Sequence, residues 1–292
     1  MRIFSFGEVL WDVAEHERTL GGAPLNFAAH AALQGCEAYL VSAVGDDALG
    51  REAFMRVSEL GVKTEHVSVS DALPTGQCIV STDEKGVPSY CLLAPVAYDR
   101  ISPPTIKEQT EDDVLAFGTL SLRESYNRDA LTHLLSSHRF SEVYVDLNIR
   151  PPFYGKESIS FCLSAATLLK VSEEELPLVS MSLFGEVLGT DGCVDAIRAA
   201  YPNVKLILLT AGEKGAVCYD VTEGKTYRVP ASPAEVISTV GAGDSYGATF
   251  LAQWKKTHDV FYAMTLASRV SAFVVSHRDS VPEGMVAFLS TL

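Results

Sequence analysis

Along most of this 292-residue chain, short β-branched runs alternate with apolar helical stretches, and a glycine or a polar turn marks each change of period. The first strand pattern covers Arg2 to Leu10, which puts Asp12 just past a strand's carboxyl end, where ligands of open α/β sheets gather. A helical stretch from Phe27 to Gln34 stops at Gly35, a strand follows at Ala38 to Val44, and a helix from Ala48 to Leu60 is closed by Gly61. After Pro103-Pro104 come strands at Val114 to Thr119, Val143 to Asp146, Leu168 to Val171, Leu206 to Thr210 and Ala216 to Tyr219, with a helix at Arg128 to Ser137. The last of these strands can pair with Tyr227-Arg228-Val229, and beyond Gly241 the chain reads as helix. Strands joined through helices return to the same end of the sheet and lie parallel. The expected fold is α/β, a mainly parallel central sheet with helices on both faces, in one body over residues 1–292.

One segment breaks the rhythm. Gln77 to Ser81 and Ser89 to Leu93 are strand-like and joined by Asp83-Glu84-Lys85-Gly86 with no helix between them. A hairpin that leaves an α/β body is suited to cover a site or to meet a second copy of the chain.

Composition narrows the partners. A net charge of -14 and a pI near 4.9 argue against nucleic acid or an anionic membrane surface, which require an extended basic face, so any phosphate must be held locally. The six cysteines are scattered singly, with no C-x-x-C and no Cys/His cluster at zinc spacing, so reduced thiols and a cytoplasmic location are expected. No apolar run approaches the roughly 18 residues of a membrane span.

Chemistry concentrates at Val236-Ile237-Ser238-Thr239-Val240-Gly241-Ala242-Gly243-Asp244, which runs into an apolar helix. The first N–H groups of a helix have no partner within it and carry the positive end of its dipole, so small residues there form a nest for an anion. A carboxylate repels phosphate, so Asp244 beside such a nest suggests a base for an attacking hydroxyl; the other reading is a capped helix whose first turn favours an acid. Upstream, Gly21-Gly22-Ala23-Pro24-Leu25-Asn26 opens a second helix with backbone and amide hydrogen-bonding groups, or is only a tight turn. His30, amid alanines, is a packed helix residue rather than a ligand. Familiar alternatives fail: Gly224-Lys225-Thr226 lacks the earlier glycine of a phosphate loop and reads as a hairpin turn, and no dinucleotide fingerprint, G-x-S-x-G or H-E-x-x-H occurs.

Gly21-Gly22-Ala23-Pro24-Leu25-Asn26-Phe27-Ala28, with Gly35 and Gly45 downstream, and Gly241-Ala242-Gly243-Asp244 together resemble the two signatures of the ribokinase-like (PfkB) family of sugar kinases. The second departs at Thr249, where the family usually has alanine or glycine. The resemblance implies a ribokinase-like fold with a small β-strand lid from about 12–20 and 75–98, and transfer of the γ-phosphate of ATP, with Mg2+, to a sugar hydroxyl. It implies that Asp244 is the catalytic base and that Gly241, Ala242 and Gly243 form the anion hole. Asp12, Gly22, Asn26, Tyr90 and Arg150 then match sugar-binding positions, and Thr210, Gly212, Gly215 and Ser268 nucleotide-binding ones. Ser268 stands where asparagine is common, and the Asn-x-x-Glu motif tied to magnesium appears as Ser172-Glu173-Glu174-Glu175, keeping Glu175 as an indirect metal contact. Family members often pair through their lids, which implies a possible homodimer.

Glu8-Val9-Leu10-Trp11-Asp12 and Pro24-Leu25 look most like fructokinases, whereas Asp146-Leu147-Asn148-Ile149-Arg150 resembles a segment shared by fructokinases and 2-keto-3-deoxygluconate kinases. Arg150 would hold a substrate carboxylate bidentately or help bind phosphate. Fructose phosphorylated at O6 is the first expectation and the keto acid the second. A sugar-binding sensor that has lost the reaction is the alternative of a different class, and the intact Asp244 and anion hole weigh against it.

Overall fold

The computed structural model describes residues 1–15, 17–82 and 88–292. Its first strand, β1 (Arg2–Phe6), ends because Gly7 takes φ 146°, a backbone turn that side chains resist. The apolar run then resumes as β2 (Leu10–Val13), which pairs with β3 (Arg18–Gly21) instead of extending β1. Asp12 is therefore inside a strand of a second sheet and not past the end of β1, which corrects the sequence expectation. Next come α1 (Ala23–Leu33), β4 (Glu37–Gly45) and α2 (Ala48–Glu59), whose first turn is capped by Asp47 Oδ1 accepting from the Gly50 N–H at 2.7 Å. The strand β5 (Lys63–Ser70) was not foreseen; as the edge of the main sheet it is largely polar and half exposed.

The hairpin β6 (Gly76–Thr82) and β7 (Pro88–Leu92) is present, while its expected turn Asp83-Glu84-Lys85-Gly86 lies outside the described residues. Because β6 also pairs with β2, the two separate segments make one small sheet in the order β3-β2-β6-β7. The body continues through β8 (Asp113–Phe117), α3 (Ser125–Ser137), β9 (Glu142–Asp146), α4 (Lys156–Ala165), β10 (Leu168–Ser172), α5 (Leu176–Phe184) and α6 (Thr190–Ala200). It closes with β11 (Leu206–Thr210), β12 (Ala216–Asp220), β13 (Lys225–Val229), α7 (Ala242–Thr257), α8 (Val260–Val275) and α9 (Met285–Leu289).

Among the described residues the main sheet runs β13-β12-β11-β10-β9-β8-β1-β4-β5, parallel from β11 to β5, with β12 and β13 added antiparallel at one edge. Gly224 turns the last hairpin, as expected of a chain stretch that only resembles a phosphate loop. Alternate strand residues serve opposite cores: Leu115 and Phe117 of β8 pack on one face, Val114 and Ala116 on the other with α1 and α7. From β1 the chain proceeds to β4 on one side and only later to β8 on the other. Such a reversal leaves a crevice outside the carboxyl ends of β1 and β8, and the site forms there.

Candidate active site

The crevice is lined by Glu8 just after β1, Thr119 after β8, Asp146 and Asn148 at the end of β9, Pro24 of α1 and Asp244 of α7. Gly22 brings α1 in close, since a β-carbon there would overlap the Glu8 carbonyl oxygen and its φ is 117°. Asn26, in the first turn of the same helix, then reaches Asp244 in the first turn of α7: its Nδ2 donates to Asp244 Oδ2 at 2.8 Å. The two signatures, far apart in sequence, are thus joined by a hydrogen bond.

The electrostatics of this junction follow from burial. Withdrawal from water pushes the Asp244 carboxyl up to about 6; the charge of Asp146 adds to this, while the Asn26 hydrogen bond and the cations Lys170 and Arg150 oppose it. Burial likewise pushes Glu8, 4% exposed, up to about 7, with Asp244 adding and Arg150 opposing. Lys170 is buried with its Nζ 2.8 Å from Asp146 Oδ2, its register partner across β9 and β10. Burial alone would lower its pKa, but Asp146, Glu175 and Asp244 outweigh that and raise it, so a fixed ammonium sits in the site.

Gly241 starts α7 at φ 80°, and a β-carbon on it would lie 2.7 Å from Ser280 Cβ. The N–H groups of the expected anion hole at Gly241, Ala242 and Gly243 lie at this helix start; that of Ala242 reaches Thr239 O only at 3.3 Å. Of the expected sugar-binding residues, Asp12 faces Cys78 and Thr19 across the small sheet, and Tyr90 shares Asp12's face of that sheet but is 62% exposed. Arg150 is exposed, close enough to oppose the raised carboxyls of Asp12, Glu8 and Asp244.

The nucleotide-binding expectations fall at two places. Thr210 ends β11, and the tight turn Gly212–Lys214 leads to Gly215, where a β-carbon would overlap Val229 O. This loop joins the one after β10 through Glu173 N–H to Thr210 O at 2.8 Å and Lys214 Nζ to Glu173 Oε2 at 2.7 Å. Ser268 is different: buried on α8, its hydroxyl donates to Pro230 O at 3.1 Å and accepts from Ser232 N–H at 2.9 Å, so it shapes the loop after β13.

Glu175 also has a backbone task. Its Oε1 accepts from the Ile149 N–H at 2.6 Å and its Oε2 from the Ser172 N–H at 2.7 Å, locking together the loops after β9 and β10. Among the described residues no three or more His, Cys, Asp or Glu are arranged to cage a metal. Mg2+ seldom needs a cage when it arrives with nucleotide phosphates, because one or two carboxylates and waters complete its shell. The donor set fits: Asp146 Oδ1 is buried with no hydrogen-bond partner, a free acceptor beside Asp244 and Glu175. Tyr144 OH, in the same crevice, is likewise unpartnered.

Glu8, Lys170 and Ser280 were not foreseen as site residues. Glu8 had a signal, a carboxylate immediately after the first strand; a lysine inside a strand and a serine near the C-terminus had none. His30 is packed as expected, 1% exposed and bonded to Ser280 O at 2.7 Å. All six cysteines are free thiols, and among the described residues no helix is long and apolar enough to cross a membrane.

The profile of the pfkB family carbohydrate kinases matches residues 2–283. The fructokinase of Vibrio alginolyticus is 25% identical over 96% of this chain and 94% of its own length. The 5-dehydro-2-deoxygluconokinase of Listeria monocytogenes is 26% identical over 89% and 82%. Among solved structures, the fructokinase of Xylella fastidiosa with bound ATP superposes with a TM-score of 0.85 at 21% identity, covering 99% of this chain and 98% of that one.

Proposed function

Because the chain belongs to the pfkB family of carbohydrate kinases, and so transfers phosphate from ATP to an alcohol group, we propose that its acceptor is D-fructose and its product fructose 6-phosphate. The observation that carries the chemistry is the Asn26–Asp244 hydrogen bond at the start of α7, a half-buried carboxylate with one oxygen capped and the other free. The sugar hydroxyl gives its proton to Asp244 Oδ1 as its oxygen bonds to the γ-phosphorus; the bond from that phosphorus to the bridging oxygen breaks, and ADP leaves. The N–H groups of Gly241, Ala242 and Gly243 take the charge on the transferred group's equatorial oxygens, with the Lys170 ammonium close by. Asp146, with Glu175 behind it, would hold Mg2+ through water, and the ion would neutralise charge on the nucleotide phosphates. Thr210, Gly212 and Gly215 hold the nucleotide phosphates, and Gly22, Asp12, Tyr90 and Arg150 surround the sugar. The small sheet keeps water, the smallest competing nucleophile, from the γ-phosphate.

The choice of fructose leans on the fructokinase relatives, which this chain matches over nearly its whole length. A second reading, a sugar acid such as 2-keto-3-deoxygluconate, is favoured by the exposed Arg150, and the 5-dehydro-2-deoxygluconokinase relative is named for a different sugar acid of the same class. ATP consumption by the purified protein with magnesium, across fructose, ribose, 2-keto-3-deoxygluconate, glucose and adenosine, decides between them. Preference for fructose supports the first reading, and preference for the keto acid makes Arg150 a substrate ligand and sinks it. No turnover by a folded, ATP-binding protein would sink both.

A further inference from the structure

Ser280 belongs to the segment between α8 and α9 and is 8% exposed, yet it touches three parts of the site. Its Oγ donates to Asn26 Oδ1 at 2.8 Å, its carbonyl oxygen meets His30 Nε2 at 2.7 Å, and its Cβ lies 2.7 Å from where a β-carbon on Gly241 would be. Asn26 and His30 are one turn apart on α1, so a single helix face grips Ser280 at two points. A carbonyl only accepts, so His30 carries its proton on Nε2; burial drops the His30 pKa to about 4, and the grip does not change near neutrality.

An asparagine amide has two ends of nearly the same shape, and a carboxylate tolerates only the N–H end. Once Asp244 has taken a proton it can donate, and it would then tolerate the other end as well. A hydroxyl can also accept, but among the described residues Ser280 Oγ has no other hydrogen-bond partner, so a turned amide would leave its buried O–H unpaired, and donation to Asn26 Oδ1 favours the observed orientation.

We propose that Ser280 is a positioning residue for the phosphotransfer: its hydroxyl fixes the Asn26 amide so that Asp244 Oδ2 stays capped and Oδ1 alone faces the substrate. The proposal rests on the reading of Asp244 as the base. It also explains why Gly241 must be glycine on its Ser280 side, because the same contact that seats the serine sets the first residue of the anion hole.

The test separates this proposal from the activity itself. The Asp244 carboxyl is titrated by carbon-13 NMR, with its resonance identified by its loss in Asp244→Asn, in the wild type, Ser280→Ala, Asn26→Ala and the double variant. The Asn26 bond lowers the Asp244 pKa, so loosening it in Ser280→Ala should move the midpoint upward by about 0.5 pH unit, the scale of one hydrogen bond. In the Asn26→Ala background the serine substitution should add nothing. On whichever sugar is turned over, kcat of Ser280→Ala should fall about tenfold, with the acid limb of the pH profile displaced as the titration is. An unmoved Asp244 midpoint in Ser280→Ala, or equal displacements with and without Asn26, would overturn the proposal even if the protein is an active kinase. Loss of activity on every sugar leaves the NMR result standing as the judge.

Discussion

The Nζ of Lys170 lies 3.1 Å from the point where a side chain on Gly243 would begin, so an ammonium fills the space that the absent side chain leaves beside the first turn of α7. A methyl group at 243 therefore competes with the end of a flexible side chain and not with backbone. Gly243→Ala should fold normally, displace the ammonium and lower kcat at least about tenfold, with the sugar KM changed less than about threefold, because the lost interaction matters most as charge develops. Steady-state kinetics with a thermal melt checks this; an unchanged kcat would remove Lys170 from charge stabilisation.

Asp244→Asn keeps the shape and loses the base. Turnover should fall by about 10³-fold or more, while sugar binding measured by calorimetry stays within a fewfold of wild type. Retained turnover would assign the proton to another group, for which Glu8 is the neighbour at hand.

The raised pKa values of Asp244 and Glu8 give a signed dependence on pH. A base must be unprotonated, so kcat/KM should fall below about pH 6 as Asp244 gains its proton. Stability runs the other way. A carboxyl whose folded pKa lies above its unfolded value binds more protons when folded, so unfolding free energy declines as pH rises from about 4 through about 7 and stays lower above that. Glu8→Gln and Asp244→Asn should each melt at a higher temperature than wild type at pH 8, and the gain should shrink at pH 5. A lower melting temperature at pH 8 in both variants would contradict the desolvation that raises these groups.

The periodic residues made most of this fold legible, and the residues that close the site did not. Strand-helix alternation from β8 to β11 implied parallel pairing, and the glycines before Asn26 and Asp244 marked two helix starts. That Asn26 and Asp244 would bond was not legible, because it depends on α1 and α7 packing side by side on one face of the sheet. Asp12 was placed wrongly because the turn at Gly7 restarts the strand in a different sheet, and β5 was passed over because an edge strand carries polar residues that resemble a loop. Lys170, a charged residue inside a strand pattern, carried no sign of its role, which parallel register creates by setting it opposite Asp146. Glu175 was noticed for its motif, but its bonds to Ile149 and Ser172 belong to a loop geometry that no spacing encodes.

Gly247, one turn after Gly243 on α7, gives a test in which propensity and packing disagree in sign. Alanine is favoured over glycine within a helix by about 1 kcal/mol, so propensity alone predicts that Gly247→Ala is stabilising. A β-carbon there would overlap the Tyr144 hydroxyl, and Tyr144 has little room to yield, being 1% exposed and stacked on Phe27 with ring centres 4.7 Å apart. Overpacking of this kind costs about 1–3 kcal/mol, so the substitution should be destabilising on balance. The hydroxyl in question has no hydrogen-bond partner, so Tyr144→Phe should change stability by less than about 1 kcal/mol. The double variant should recover part of the loss and not all, because the ring carbon that bears the hydroxyl would still lie 2.9 Å from the new methyl. Urea unfolding of the four proteins measures the coupling directly: a double variant as unstable as the sum of its parts would mean that Gly247 and Tyr144 do not meet as described.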